Sequence, residues 1–224
     1  MSLKNIGTFD VIGPNMIGPS SSHTAGALKI ALLAGKMISG KIKNVKFILY
    51  GSFAKTYRGH GTDRALIGGI LGFSTDDPRI KDSFIYAKIK GLEYSFIADD
   101  VTQVDHPNTV DIIITNDKLD VTRITGVSTG GGEALITRIN DVDISLTGAY
   151  NTIFVTQIDA PGVVAYITNC LNKYKINIAF MKLFRESRGK LAYTVIELDE
   201  AVPNNTICEI ESFEYIKSAL LIEV

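Results

Sequence analysis

The sequence predicts an α+β protein of two domains, on three observations. Helical and strand-like patterns alternate between about residues 20 and 90, which suits a mixed α/β layer. Five short β-prone runs separated by Asn, Asp and Gly turns follow, up to Leu146. From about Asn151 the pattern resets into an ordered β-α-β-β-α-β series that ends with the chain. The expected domains are residues 1–148 and 149–224. A length of 224 residues with 46% apolar and 21% charged side chains suits two domains with real cores.

In the first domain, residues 20 to 39 read as a helix. Ser20, Ser21 and Ser22 offer N-caps, Leu28, Ala31, Leu32 and Gly35 recur at helical spacing, and Gly40 is placed to stop it. Val45, Phe47 and Leu49 alternate up to Tyr50 and predict a strand ending at Gly51. Gly51 to Gly61 reads as a loop. A second helix follows, with Thr62 as N-cap, Asp63 against the positive helix end, and Ala65, Leu66, Ile70 and Leu71 as its apolar face. The internal pair Gly68-Gly69 costs roughly 1 kcal/mol per Gly relative to Ala, which close packing against a neighbouring backbone would explain. Asp77-Pro78 opens a third helix with Ile80, Phe84 and Ala87 on one face.

The β-prone runs are Leu92–Ile97, Val110–Thr115, Val121–Val127, Ala134–Ile139 and Val142–Leu146. Gly130-Gly131-Gly132 between two of them is either a hairpin or an anion-binding nest of N–H groups. In the second domain the strands are Thr152–Ile158, Ile176–Phe184, Lys190–Leu198 and Ala219–Val224. The helices are Pro161–Lys175 and Pro203–Ile216. This order is the ferredoxin-like split βαβ unit.

Composition narrows the function. A net charge of −1 gives no reason to expect a nucleic acid or a membrane surface as partner. No run approaches the roughly 18 apolar residues of a membrane helix. The start, MSLKNIGTFDVIGPN, lacks a basic segment followed by an apolar one. Cys170 and Cys208 are far apart and outside any C-x-x-C frame, which suits a reducing cytoplasm.

All three histidines lie in Gly-, Ser- or Pro-rich loops rather than on apolar faces: His23 in GPSSSHT, His60 in GHGTD and His106 in DHPNT. Functional residues concentrate in such loops, and imidazole is the side chain suited to proton transfer near neutral pH. None of the spacings is a metal-ligand motif. Ser20, Ser21, Ser22 and Thr24 either over-provide N-caps or form an anion site with free N–H groups. Thr62 faces the same choice, and Asn108 is either a turn residue or an amide clamp. Arg58 is a surface residue or a carboxylate clamp. In the second domain Asp159, Pro161 and Gly162 join strand to helix, either as a plain turn or as a small-carboxylate site, with Asn177 at the start of the next strand.

The strings FDVIGPNMIGPSSSHTAGA, LYGSFAKTYRGHGTDRALIGGILG, DHPNTV and GVSTGGGEALITRI together resemble the beta subunit of the two-chain, iron–sulfur-dependent L-serine dehydratases. The resemblance spans essentially the whole chain, and its C-terminal part resembles an ACT domain, an amino-acid sensor. It implies an L-serine ammonia-lyase that releases pyruvate and ammonia at a four-iron four-sulfur cluster. By that resemblance His60 and His106 lie in the catalytic pocket. Ser20, Ser21, Ser22, His23, Thr24, Thr62 and Asn108 bind substrate or line the pocket. Asp159, Gly162 and Asn177 hold the ACT ligand.

A cluster of this kind needs about three cysteine thiolates, and this chain has two isolated ones in predicted helices. No metal ligand is therefore expected on this chain. The cluster is expected on a partner alpha subunit, without which the chain is inactive, and a homodimer through both domains is expected. The N-terminal domain also resembles an allosteric-substrate-binding module found on some phosphoglycerate dehydrogenases. That leaves a non-catalytic amino-acid-sensing subunit as the alternative. The chain has no G-x-G-x-x-G segment of its own for a dehydrogenase, and a pure sensor would not need the GHGTD and HPNT histidines.

Overall fold

The computed structural model describes residues 15–223. The FDVIGP part of the opening string and Val224 of the last expected strand lie outside them. The chain divides into two compact units, Met1–Gly35 with Gly40–Ile136 and Lys36–Ser39 with Thr137–Val224.

The first unit begins with a π-helical turn, Ser21–Gly26, that runs into α1 (Ala27–Lys36). Strand β1 (Ile42–Tyr50) follows, then α2 (Gly51–Thr56) and α3 (Thr62–Ile70). A 3-10 turn, Pro78–Asp82, leads into α4 (Ser83–Lys90). The strands β2 (Glu93–Asp99), β3 (Thr109–Asn116) and β4 (Val121–Gly130) come next, then β5 (Glu133–Ile139), which runs past the end of this unit at Ile136, and β6 (Val142–Leu146), which belongs to the second. The sheet order is β2-β1-β3-β4-β5-β6. β1 is parallel to β2 and antiparallel to β3, which is antiparallel to β4, so the β1–β2 connection is a helical crossover and the β2–β3 connection passes over β1.

Alternation explains one face of this sheet. Val45, Phe47 and Leu49 of β1, Val110, Ile112 and Ile114 of β3 and Ile124 of β4 are fully buried, as are Leu28, Ile30 and Ala31 of α1. Gly69 meets the expectation of close packing. A Cβ there would lie 2.3 Å from Leu28 O and 2.7 Å from Ala31 Cβ, so α3 crosses α1 backbone to backbone.

On the opposite face a buried carboxylate is satisfied from three sides. Asp111 accepts from Tyr50 OH at 2.8 Å, from Thr125 Oγ1 at 2.6 Å and from the Arg123 guanidinium, whose Nε is 3.1 Å away. Burial, then the hydrogen bond to Asp111 and its charge, push the Tyr50 phenol up to about 12. Because this pKa exceeds the unfolded value of about 10, its contribution to stability is complete below pH 10. It is lost as pH rises through about 12. The phenolate absorbance titration of the wild type minus that of Tyr50→Phe should isolate a group ionising near 12. A difference curve centred near 10 would contradict the network.

The second unit contains β7 (Asn151–Ile158), α5 (Val163–Lys173), β8 (Ile178–Arg185), β9 (Leu191–Leu198), α6 (Asn204–Glu211) and β10 (Ile216–Ile222). Its sheet order is β10-β7-β9-β8 with all neighbours antiparallel, the split βαβ arrangement expected. Ile153, Val155, Val163, Ile167, Leu171 and Ile196 form the centre of its core.

Several elements depart from the sequence reading. Gly51–Thr56 is a helix rather than a loop, begun by Gly51 at φ +52. α1 ends at Lys36, so Gly40 (φ +83) turns the chain into β1 instead of capping the helix. Gly61, at φ +67, caps α3, and Thr62 is its first residue. Gly162, at φ +89, caps α5, leaving Pro161 outside the helix. The last helix stops at Glu211 because Ile216 onward pairs with β7. Both cysteines lie on helices as expected, Cys170 buried on α5 and Cys208 exposed on α6.

Candidate active site

The GPSSSHTAGA segment folds as one tight turn seated on β4. Ser20 Oγ accepts from His23 N at 3.1 Å, and Ser20 O accepts from Thr24 N at 2.9 Å and Ala25 N at 3.4 Å. The second of these bonds is the π-type step, a geometry common at functional sites. Gly26 makes the seating possible, since a Cβ there would fall 2.0 Å from Ser128 Oγ.

The turn presents His23 to the start of α2. Its Nδ1 lies 3.0 Å from Ser22 Oγ and its Nε2 2.8 Å from Ser52 Oγ, so both ring nitrogens are held. Ser22 Oγ in turn lies 3.4 Å from Ser20 Oγ. The ring stands edge-on to Phe53, with centroids 5.3 Å apart, and to His60, 4.9 Å apart. Burial, and secondly the charge of His60, lower the His23 pKa from its ordinary value.

His60 sits in the connection between α2 and α3. Its N–H donates to Thr56 O at 3.1 Å and its carbonyl accepts from Thr24 Oγ1 at 3.0 Å. Its ring borders a cleft of about 270 Å³ whose lining includes Ile17, Pro19, Thr24, Arg58 and Arg64. His60 Nδ1 is buried without a hydrogen-bond partner among the described residues, and so is the hydroxyl of the fully buried Thr62. An unpaired buried polar group costs about 1–3 kcal/mol, and here two such groups lie two residues apart. Burial pushes the neighbouring Asp63 carboxyl up.

The DHPNT loop is tied to the same place by its backbone. Pro107 O accepts from Ser52 N at 2.7 Å, and Asn108 O accepts from Ser128 N at 3.0 Å. A Cβ on Gly51 would lie 2.7 Å from Pro107 O, so only glycine lets this loop come so near. His106 Nδ1 accepts from Asn108 N at 3.2 Å. Among the described residues no hydrogen bond or ring contact joins His106 to His23 or His60.

The structure therefore brings together Ser20, Ser22, His23, Thr24 and His60, with Ser21 opening the turn and Thr62 directly after the His60 loop. Ser52 and Ser128 are the residues that sequence reasoning passed over. Their only signal was position, one just after a strand that ends in Gly and one inside the quoted GVSTGGG string.

In the second unit Asp159 and Gly162 both lie in the turn between β7 and α5, and Asp159 Oδ2 accepts from Arg185 and from Gly189 N at 3.3 Å each. Asn177 lies elsewhere, donating to Asp199 Oδ2 at 2.6 Å and, from its N–H, to Glu200 Oε2 at 2.7 Å. The register pairs Ile158 with Leu191 and Ile178 with Leu198, so these residues occupy opposite ends of the sheet within one chain.

The residues present do not fit an iron–sulfur cluster. Cys170 and Cys208 lie on different helices, and among the described residues no three His, Cys, Asp or Glu side chains converge. No helix among the described residues is long and apolar enough to cross a membrane.

The family model described as serine dehydratase beta chain matches residues 8–93, the stretch holding the His23 turn and the His60 loop. The probable L-serine dehydratase beta chain of Bacillus subtilis is 41% identical over 208 residues, 93% of this chain and 94% of that protein. The L-serine dehydratase beta chain of Peptoniphilus asaccharolyticus is 39% identical over 222 residues, 99% of this chain and 100% of that protein. A D-3-phosphoglycerate dehydrogenase of Synechocystis is 23% identical over 197 residues, 87% of this chain and 35% of that protein. With about two residues in five shared along nearly the whole length, the chain belongs to the serine dehydratase beta chain family.

Proposed function

We propose that this chain is the beta subunit of an L-serine ammonia-lyase that converts L-serine to pyruvate and ammonia with an alpha subunit. The supporting observation is the His23–His60 pair beside a cleft, with His60 Nδ1 and Thr62 Oγ1 buried and unpartnered. The four-iron four-sulfur cluster of the family is assigned to the alpha subunit, because the thiols here do not fit one.

Elimination of water from L-serine requires removal of the Cα proton, and a loop imidazole is suited to that task. Two imidazoles 4.9 Å apart resist carrying charge together. Both nitrogens of His23 are held by serine hydroxyls, so His60 is assigned the proton transfer. Thr62 and Asn108 hydrogen-bond substrate or the histidines. His106 is the second proton-transfer or orienting group, and Ser20, Ser21, Ser22 and Thr24 form the wall. The aminoacrylate produced then tautomerises and hydrolyses to pyruvate and ammonia.

Residues 149–224 are proposed as an ACT domain following a catalytic domain of residues 1–148. Because Asp159 and Gly162 lie at the other end of the sheet from Asn177, one ligand touching all three needs two copies of the chain, hence a homodimer. The cytoplasm is the proposed location, in keeping with two unpaired thiols. L-serine at 100 times its Kd should stabilise the full chain by about 2.7 kcal/mol, read as a rise in thermal midpoint. An unchanged midpoint at saturating serine would restrict the domain to assembly.

A second reading, a subunit that only senses an amino acid, is favoured by the match to the phosphoglycerate dehydrogenase. Anaerobic assay separates the two. The dehydratase reading expects pyruvate from L-serine with both chains present and none with either alone. The sensor reading expects full turnover by the alpha chain alone.

A further inference from the structure

Two segments that are distant in sequence from α2 meet it at Ser52. Its hydroxyl lies 2.8 Å from His23 Nε2, its N–H donates to Pro107 O at 2.7 Å, and its carbonyl accepts from Thr56 Oγ1 at 2.8 Å. We propose that Ser52 is a positioning residue for the His23–His60 pair, holding the His23 ring edge-on to His60. The inference rests on the dehydratase reading above and adds a residue to its machinery.

Rotation of the ring about χ2 is broad and roughly two-fold, so a single hydrogen bond fixes its plane poorly. The bond from Ser22 comes from the preceding residue of the same turn, and that hydroxyl can itself rotate. The bond from Ser52 comes from α2, a separate element 29 residues away, and fixes the ring from its far side. Phe53, packed against the same ring, offers no hydrogen bond that could substitute.

A hydroxyl donates or accepts as required, so Ser52 can hold His23 in either tautomer. Its effect is therefore on the orientation of the ring. Orientation decides which edge of His23 faces the His60 ring. The main chain of Ser52 has a separate task, since its N–H anchors the loop bearing His106. Alanine at this position removes the hydroxyl and keeps the N–H, which separates the two roles.

The test uses Ser52→Ala and Ser52→Thr in the full chain, alone and assembled with the alpha subunit. Misplacing a group near the reacting atoms by about 1 Å costs on the order of 10²-fold, so Ser52→Ala should lose about that much kcat with little change in KM for L-serine. Ser52→Thr, which keeps a hydroxyl, should recover most of it. In the free chain, the ring-nitrogen chemical shifts of His23 should move in Ser52→Ala, while those of His106 stay in place. Unchanged His23 shifts, or wild-type kcat in Ser52→Ala, would overturn the assignment. If His23 shifts move as expected while the wild-type pair releases no pyruvate, the dehydratase reading fails and the positioning role stands.

Discussion

His60→Ala, assembled with the alpha subunit, is expected to lower pyruvate release from L-serine by about 10²- to 10⁴-fold, the range that positioned acid–base groups contribute. Assembly and thermal midpoint should be nearly unchanged. The His60 ring is only half-buried at a loop, and its imidazole makes no hydrogen bond that holds the fold among the described residues. What the loop contributes to the structure passes through the His60 backbone, which alanine keeps, to Thr56 O and from Thr24 Oγ1. Removing the imidazole loses its edge contact with His23 but also removes the unpaired Nδ1, so the two effects offset and the net change in stability should be small. A variant that assembles and turns over normally would move the chemistry away from this loop and favour the sensing role.

The largest effect on stability is expected at Gly69. In Gly69→Ala the added carbon meets backbone, 2.3 Å from Leu28 O and 2.8 Å from Leu32 N, and neither can rotate aside. Overpacking of this kind costs about 3 kcal/mol, which exceeds the roughly 1 kcal/mol that alanine gains over glycine in a helix. For a chain of this size each kcal/mol lowers the thermal midpoint by about 2–4 °C, so a fall of several degrees is expected. Gly68→Ala is the internal comparison. Its added carbon meets Phe73 at 3.4 Å and Ile80 at 3.5 Å, ordinary contact distances, so the helical gain should leave this variant neutral or slightly more stable. Equal effects at the two positions would mean that α3 does not cross α1 at Gly69.

How far the fold was legible follows from where local and distant interactions agree. Val45, Phe47 and Leu49 alternate and are buried as the pattern requires, and the β-α-β-β-α-β series was readable because each element has its own period and turn. Gly51–Thr56 was not readable as a helix. It is too short to show a period, and it begins with a glycine in the left-handed region that resembles a loop. Thr62 looked like a cap, and the structure gives that place to Gly61, which turns the Thr62 side chain into the interior. The end of the last helix was lost to strand pairing, which recruits Ile216 to β7 against the local helical pattern.

The site divides in the same way. The strings around His23, His60 and His106 are each visible in the sequence, because histidines among glycines, serines and prolines stand out. That His23 and His60 share an edge contact was not visible. It depends on the π-type step after Ser20, on Gly26 lying against Ser128 and on Ser52 reaching across from α2. None of these has a local signature. Asp159 and Asn177 show the converse: they were grouped by resemblance, and the register separates them to opposite ends of one sheet.

The central claim is that this chain supplies one half of a site whose metal half belongs to another polypeptide. It is tested most directly by adding the purified chain, without oxygen, to a fixed amount of alpha subunit with its cluster intact while following pyruvate release from L-serine. The account predicts no release at the start, a linear rise, and a plateau at one chain per alpha subunit. The same titration with His60→Ala should stay near the baseline. Full release by the alpha subunit before any of this chain is added would contradict it.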